Sequence, residues 1–411
     1  MQEPGTPATL GKLQKSPHRK DEARFIPTTL EELTPEFLTL ALRESGALSS
    51  GSVGECSAET IGDGVGFAGT VARIHLRYRG ADIAAPESLI AKLPSMNPKN
   101  RASVEMINGY EREICFFQRL AGRSILPVPR CYYAAMDPDP HYETRPAQLR
   151  CMEHLPVAVL RALLPVGRWF AGISKRRYCV LMEDLAPARA GDQVAGCGLE
   201  EAEEIVRGLA AFHASYWGDE RLADEIWLPS VDALPRGLMA LHRNARRRYF
   251  HSYGANLPAR MHQACAWTDS HFEAMMHHLA SPPNTVLHGD YRLDNFVFAD
   301  DTMCALDFQV VALGRGGLDL GYFVCGSVHL DVDEERIVNA YCDELLRLGV
   351  RDYDRAECTR DYNLSKLFQA YMHISGEDLI ELGEDRGAEL LETMRQRVIQ
   401  RIPEPPYDAL L

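Results

Sequence analysis

Residues 287–295 read LHGDYRLDN, and residues 304–309 read CALDFQ. His288, Asp290 and Asn295 sit between apolar residues, and polar groups placed so are costly unless each finds a partner. Asp307 follows Asn295 by twelve residues, with Phe308 next to it. Apolar, strand-like runs lead into and out of both stretches. The pattern is that of short loops held between strands, carrying groups that work together.

The rest of the chain bounds what those groups can serve. A length of 411 residues suggests two or three packed units. An apolar content of 46% with 25% charged residues allows a large core. The net charge of −14 repels phosphate backbones, so nucleic acid is not an expected partner. Eleven scattered cysteines, odd in number and without a CxxC pair, read as thiols of a reduced, cytoplasmic protein. Residues 1–27 read as a polar, Pro-rich mobile tail without the apolar core of a signal peptide. No run of about 18 residues is apolar and free of charge, so no membrane-spanning helix is expected.

Along the chain, 28–45 has helical spacing. A turn carrying Gly62, Gly64, Gly66 and Gly69 precedes the alternating strand of 70–78. A short strand at 87–95 bears Lys92, and 101–122 reads as one helix with Glu111 and Glu113 in its middle. Strands follow at 128–136 and 177–185. After Leu185 the periodicity turns helical, at 198–218, 262–280, 333–349, 356–374 and 387–402. The expected fold class is α+β. It has two lobes: a small antiparallel-sheet lobe at 28–185, with an insertion at 137–177, and a larger mainly helical lobe at 186–411. His271, His277 and His278 share one helix with no Asp or Cys spaced for a metal, and read as a surface helix.

Phosphoryl transfer to an alcohol needs a cradle for nucleotide phosphates, a cation to neutralise them, metal ligands and a base for the hydroxyl proton. Protein kinases assign these to a Gly-rich turn, a strand lysine paired with a helix glutamate, and the signatures H-R-D-x-x-x-x-N and D-F-G. This chain has His288-Gly289-Asp290, four residues, Asn295, and then Asp307-Phe308. The Gly turn, Lys92 and a helix glutamate come before them in the same order.

The strings VLMEDLAP (180–187), GLAAFHASYW (208–217), LHGDYRLDNFVF (287–298) and ALDFQVVALGRGGLDLGYFV (305–324) carry a named likeness. The chain resembles the aminoglycoside phosphotransferase and choline kinase superfamily of protein-kinase-like fold, and within it the ecdysteroid-kinase-like (CHK-kinase-like) branch. Asp-Phe-Gln and the following Gly-x-x-Asp-Leu-x-Tyr are features of that branch. The resemblance implies an ATP- and Mg²⁺-dependent kinase of a small-molecule hydroxyl acceptor, acting as monomer or homodimer. It implies Asp290 as the base, and Asn295 and Asp307 as holders of Mg²⁺. It further implies Lys92 on the α/β-phosphates, and Glu113 rather than Glu111 as its ion-pair partner. Gly66, Gly69 and Thr70 would cover the phosphates, and Glu183 and Leu185 would meet the adenine edge. His288 and Asp319 are expected to brace the loop, and Arg292 and Asp294 to be surface or loop-bracing residues. Gln309 in place of glycine, and the lack of an activation segment, speak against a protein substrate.

Three further expectations concern the acceptor. The apolar part of the insertion, 155–173, reads as an extra helix on the small lobe, as a dimer contact, or as a lid or lipid contact for an apolar, sterol-like alcohol. An aminoglycoside acceptor is the alternative, facing Glu377, Asp378, Glu381, Glu384 and Asp385. A nucleotide-binding pseudokinase scaffold is the non-enzymatic alternative, and the presence of Lys92, Asp290, Asn295 and Asp307 counts against it.

Overall fold

The structure is a computed structural model, and it describes residues 25–61, 69–80, 84–299, 302–376 and 384–411. The expected tail (1–24 of it), Gly62, Gly64, Gly66 and the acidic stretch 377–383 lie outside the described residues, as do the side chains of Glu384 and Asp385.

The small lobe is built on a five-stranded antiparallel sheet of order β1-β2-β3-β5-β4. Its strands are β1 (Ser52–Thr60), β2 (Gly69–Arg79), β3 (Ser88–Pro94), β4 (Cys131–Met136) and β5 (Tyr178–Glu183). Side chains alternate across a strand, and β3 uses both faces. Leu89, Ala91 and Leu93 join Ala72, Ile74 and Leu181 in a core capped by helix α1 (Pro35–Glu44). Ile90 and Lys92 point the other way, toward the cleft, where register pairs Lys92 with Val71 on one side and Val180 on the other.

The single helix expected over 101–122 is two helices, α2 (Pro98–Met106) and α3 (Gly109–Arg119). Asn108 between them sits in the left-handed region at φ 55°, which Asn tolerates better than most residues. A Cβ on Gly109 would lie 2.8 Å from Val104 and 3.3 Å from the Gln309 carbonyl. The break therefore lets the chain after Asp307 approach the start of α3.

The insertion forms α4 (Arg145–Glu153) and α5 (Val157–Gly172). Helix α5 packs on α2 and on α7 (Pro235–Tyr253), so it bridges the two lobes instead of lying on the small one alone. Helix α7 escapes a periodicity search because its inward face mixes Met239 and Tyr249 with small or polar residues, Gly237, Ala240, His242 and Ala245.

Beyond the two-residue strand β6 (Arg189–Ala190), the second lobe contains α6 (Leu199–Ala214), α7 and α8 (Ala259–Ala280). Then come β7 (Thr285–Leu287), β8 (Phe296–Ala299), β9 (Thr302–Ala305) and β10 (Ala312–Gly314). Helices α9 (Gly317–Ser327), α10 (Glu334–Arg347), α11 (Arg355–Gly376) and α12 (Glu384–Arg401) complete it. β7 pairs with β10, and β8 with β6 and β9, all antiparallel. The expected surface character of α8 holds for the face with His277, whose side chain is 84% exposed, and not for His278. Met261, Phe272, Met275, Met276 and Leu279 bury one side of it. His278 Nε2 lies 2.7 Å from Asp361, a fully buried carboxylate on α11.

Candidate active site

The loop between β7 and β8 holds His288 to Asn295. Gly289 has φ 79°, and a Cβ there would sit 2.4 Å from the Val310 carbonyl, so only glycine fits. Asp319, near the start of α9, accepts the His288 backbone N–H at 2.6 Å and the Gly289 N–H at 3.0 Å. The same carboxylate contacts His213 Nε2 at 3.2 Å, and His213 Nδ1 meets the Tyr341 hydroxyl at 2.7 Å. His288 Nε2 contacts the Leu306 carbonyl at 2.9 Å, and the Asp290 N–H donates to its Nδ1 at 3.3 Å. A carbonyl only accepts, so Nε2 carries the proton and the ring is neutral. Burial pushes its pKa down, more than Asp319 and Asp290 can raise it. His288 thus ties the two halves of the site together and holds no charge to give.

Asp290 is nearly enclosed, its side chain 23% exposed. Oδ2 accepts from Arg292 Nε at 3.0 Å and from Asn295 Nδ2 at 2.9 Å. Oδ1 accepts from the Tyr322 hydroxyl on α9. An ionised carboxylate has about four acceptor positions, two per oxygen. Among the described residues, Oδ2 is filled and Oδ1 has one position open. Burial alone would raise the Asp290 pKa, but the Arg292 charge and the Tyr322 hydrogen bond overcome it and hold the carboxyl below its ordinary value.

Neither Arg292 nor Tyr322 stood among the sequence-derived site residues. Of the two expectations for Arg292, surface or loop-bracing, the contacts fit the second: its Nη1 also reaches Gln193 at 2.8 Å and Asp294 at 3.2 Å. Tyr322 lies in the Gly-x-x-Asp-Leu-x-Tyr string, but nothing local signals that its hydroxyl reaches back 32 residues.

Lys92 Nζ lies 2.6 Å from Glu113 Oε1 and 3.5 Å from Asp307 Oδ1. Burial opposes the lysine's charge, yet Asp307 and then Glu113 outweigh it, and its pKa is raised. For Glu113, burial raises the carboxyl, Lys92 lowers it, and the result is a raised value. The ammonium at 2.6 Å and Gln309 Nε2 at 3.4 Å are what compensate its charge. Glu111, two residues earlier and on the opposite side of the helix, is taken up elsewhere, by Arg145 at 2.6 Å and Arg176 at 3.1 Å.

Asp307 has φ 64°, a position of the kind that costs about 1–3 kcal/mol and persists where surroundings impose it. The Leu306 N–H bonds to the Asn295 carbonyl at 2.8 Å. Lys92, Glu113, Asp307, Asn295 and Asp290 are therefore joined through one network. Phe308 stacks on Phe116 of α3, centroids 3.8 Å apart, and lies 4.9 Å from the His288 ring. It packs the glutamate's helix against the loop.

The remaining sequence candidates lie at two other places. Gly69 opens β2 opposite Pro94, where a Cβ would meet the Leu93 carbonyl at 2.3 Å, and Thr70 faces Leu93. Glu183 ends β5, its carboxylate accepting the Arg130 N–H at 3.1 Å, and Leu185 follows. Asp184 between them is anchored by Arg73 and by Ser88, both at 2.6 Å. A groove of about 960 Å³ runs over the cleft face from Ser88 and Asp184 to Glu55 and Arg77. Val71, paired with Lys92, completes a Gly64-x-Gly66-x-x-Gly69-x-Val71 run that sequence reading could have found.

Asn295 and Asp307 fit a hard cation. Asn295 directs its amide nitrogen to Asp290, which leaves its oxygen as the ligand atom, and an amide oxygen with a carboxylate suits Mg²⁺ that keeps several waters. Among the described residues no group of three His, Cys, Asp or Glu could hold a metal by itself.

The model of the ecdysteroid kinase-like family matches residues 63–349, more than two thirds of the chain. Among curated proteins none matches. Solved structures similar to the chain include choline kinase from Cryptosporidium parvum Iowa II, at 8% identity and TM-score 0.48, covering 88% of this chain and 93% of that one. The GDP complex of aminoglycoside 2′-phosphotransferase-IIIa matches at 14% identity and TM-score 0.48, covering 89% and 98%. Macrolide 2′-phosphotransferase from Brachybacterium faecium matches at 14% and TM-score 0.41, covering 90% and 99%.

Proposed function

The chain belongs to the ecdysteroid kinase-like family of kinase-like phosphotransferases, and on that footing we propose that it transfers the γ-phosphate of ATP to a hydroxyl of a small alcohol. The observation that carries this is the single network joining Lys92–Glu113 and Asp307 to Asn295 and Asp290. Such an arrangement supports in-line transfer with no covalent enzyme intermediate.

Asp290 is the general base. Oδ1, with its open position beside Tyr322, receives the acceptor's proton, and Arg292 and Asn295 fix the carboxylate plane. Lys92, kept charged and aimed by Glu113, contacts the α/β-phosphates. Asn295 and Asp307 would hold Mg²⁺, which would supply positive charge to offset that of the phosphates. Gly69 and Thr70, with Gly66 outside the described residues, cover the phosphates. The Glu183 carbonyl and Leu185 N–H meet the adenine edge, a segment kept in place by the Arg73–Asp184–Ser88 contacts.

The acceptor we favour is largely apolar, because the outer face of α5 beside α7 is apolar. The aminoglycoside alternative drew on Glu377, Asp378 and Glu381, which the structure does not describe. ADP release with Mg-ATP and a panel of sterols, terpenoid alcohols, amino alcohols, sugars and aminoglycosides tests the proposal. Release stimulated by an apolar alcohol supports it. Stimulation by aminoglycosides alone overturns the acceptor class, and tight ATP binding without turnover on any member favours the scaffold alternative.

A further inference from the structure

Helix α5 has two apolar sides. Leu160, 3% exposed, and the half-buried Val157 and Leu164 lean inward on the neighbouring helices. Val159, Leu163, Val166, Phe170 and Ile173 point outward and are 42–60% exposed, and Trp169 beside them is 61% exposed. Their steps of four and three residues keep them on one stripe of the helix. The residues filling the rest of the outer arc are Ala158, Ala162, Pro165 and Gly167, so the arc carries no polar side chain. A stripe of this kind on a soluble chain marks a contact surface.

Charge identifies the occupant. Residues 154–182 contain five Lys/Arg and no Asp or Glu, and α7 has the same count over 235–253, in a chain of net charge −14. Arg176, Arg177, Arg236 and Arg246 among them pair with carboxylates of neighbouring elements, and Arg161, Lys175, Arg243 and Arg247 are exposed. The two helices touch: Arg161 Nε donates to Asn244 of α7 at 2.8 Å, and Arg243 and Arg247 are exposed next to that contact. An apolar stripe is thus edged by a basic strip on an otherwise acidic molecule. A second copy docked stripe to stripe would bring the same basic strip against itself with no carboxylate on either segment. An anionic bilayer surface matches both parts, taking the apolar side chains below the headgroups and the arginines among them. Sixteen residues rise only about 24 Å, short of the roughly 30 Å hydrocarbon core, and no described helix is long and apolar enough to cross a membrane. The helix would lie in the surface.

We propose that the outer face of α5, with the basic edge of α7, docks this protein on anionic phospholipid membranes. The inference uses the same face of α5 from which the acceptor class was read, is independent of the phosphotransfer residues, and is tested without activity. The full chain is sedimented with phosphatidylcholine vesicles, and with vesicles containing about one quarter phosphatidylglycerol. The expected result is pelleting with the anionic vesicles, weakened at roughly 0.5 M salt because exposed charges are screened. Leu163→Asp with Phe170→Asp, both at exposed positions, should reduce the bound fraction at least about tenfold while leaving the melting temperature unchanged. Arg243→Glu with Arg247→Glu should abolish the preference for anionic over neutral vesicles. Wild-type protein that stays in solution with both vesicle types overturns the proposal, as does undiminished pelleting of the Asp pair. Light scattering that shows a wild-type dimer, split by the same Asp pair and indifferent to vesicles, assigns the face to a second copy and likewise overturns it.

Discussion

Replacing Tyr322 with Phe removes one hydroxyl and keeps the ring, so packing on α9 is preserved. What is lost is the only hydrogen bond that Asp290 Oδ1 receives among the described residues. Hydrogen bonds to a charged group contribute about 1.5–3 kcal/mol, and the carboxylate, 23% exposed, has little water to replace it. Unfolding entropy scales with chain length, so that loss corresponds to a melting temperature lower by about 2–4 °C at neutral pH. The pH dependence separates this cause from a packing defect. The folded protein holds Asp290 below its ordinary pKa, so its ionisation contributes stability that is present above the unfolded-state value of about 3.9 and is lost as pH falls through the folded value. Without the Tyr322 donor the folded pKa rises. The difference between wild type and variant is therefore full at neutral pH and closes as the solution is acidified through the variant's value and then the wild type's. Melting curves from pH 7 down to about pH 2 read both quantities, because the closing falls below the ordinary carboxylate value. A difference below about 0.5 kcal/mol at neutral pH, or one that stays constant with pH, refutes the claim that Tyr322 holds the carboxylate.

Asp290→Asn should leave Mg-ATP affinity within about twofold and cut turnover about 10²–10⁴-fold; a variant with more than half of wild-type kcat rules Asp290 out as the base. ATP at about a hundredfold excess over Kd should add about 2.7 kcal/mol of stability with Mg²⁺ present and much less with a chelator. Equal stabilisation in both conditions speaks against Asn295 and Asp307 as metal holders. Phe308→Ala, which empties a ring site that is 0% exposed between α3 and the loop, should cost about 3–5 kcal/mol in chemical denaturation, and a loss under about 1 kcal/mol would show that the site collapses without it.

The order of the strands, the run from His288 to Asn295 and the pair Asp307–Phe308 were legible because each is a local pattern. Alternation marks a strand face, and a loop signature keeps its spacing whatever surrounds it. The helix 101–122 was read as continuous because its apolar spacing passes through Asn108 unbroken. The structure divides it at Asn108, which takes a left-handed conformation where Gly109 meets the Gln309 backbone. Helix α7 was missed because its buried large residues, Met239 and Tyr249, are interrupted by Gly237, Ala240, His242 and Ala245 on the same side and five arginines surround them in sequence, which dilutes the apolar period. His278 was given no carboxylate partner because Asp361, which it meets, lies 83 residues away.

By itself the sequence determined which chemical groups are available and which of them are neighbours along the chain: the base, the amide, the second carboxylate and the strand lysine. Tertiary structure decided which of two helix carboxylates faces that lysine, by giving Glu111 to Arg145 and Arg176 and leaving Glu113 for Lys92. It also decided that Asp290 is held by Arg292 on one oxygen and Tyr322 on the other. Adjacency along the chain is written in order and spacing. Hydrogen-bond partnership between buried groups depends on distances of about 3 Å, which exist only after remote segments have packed.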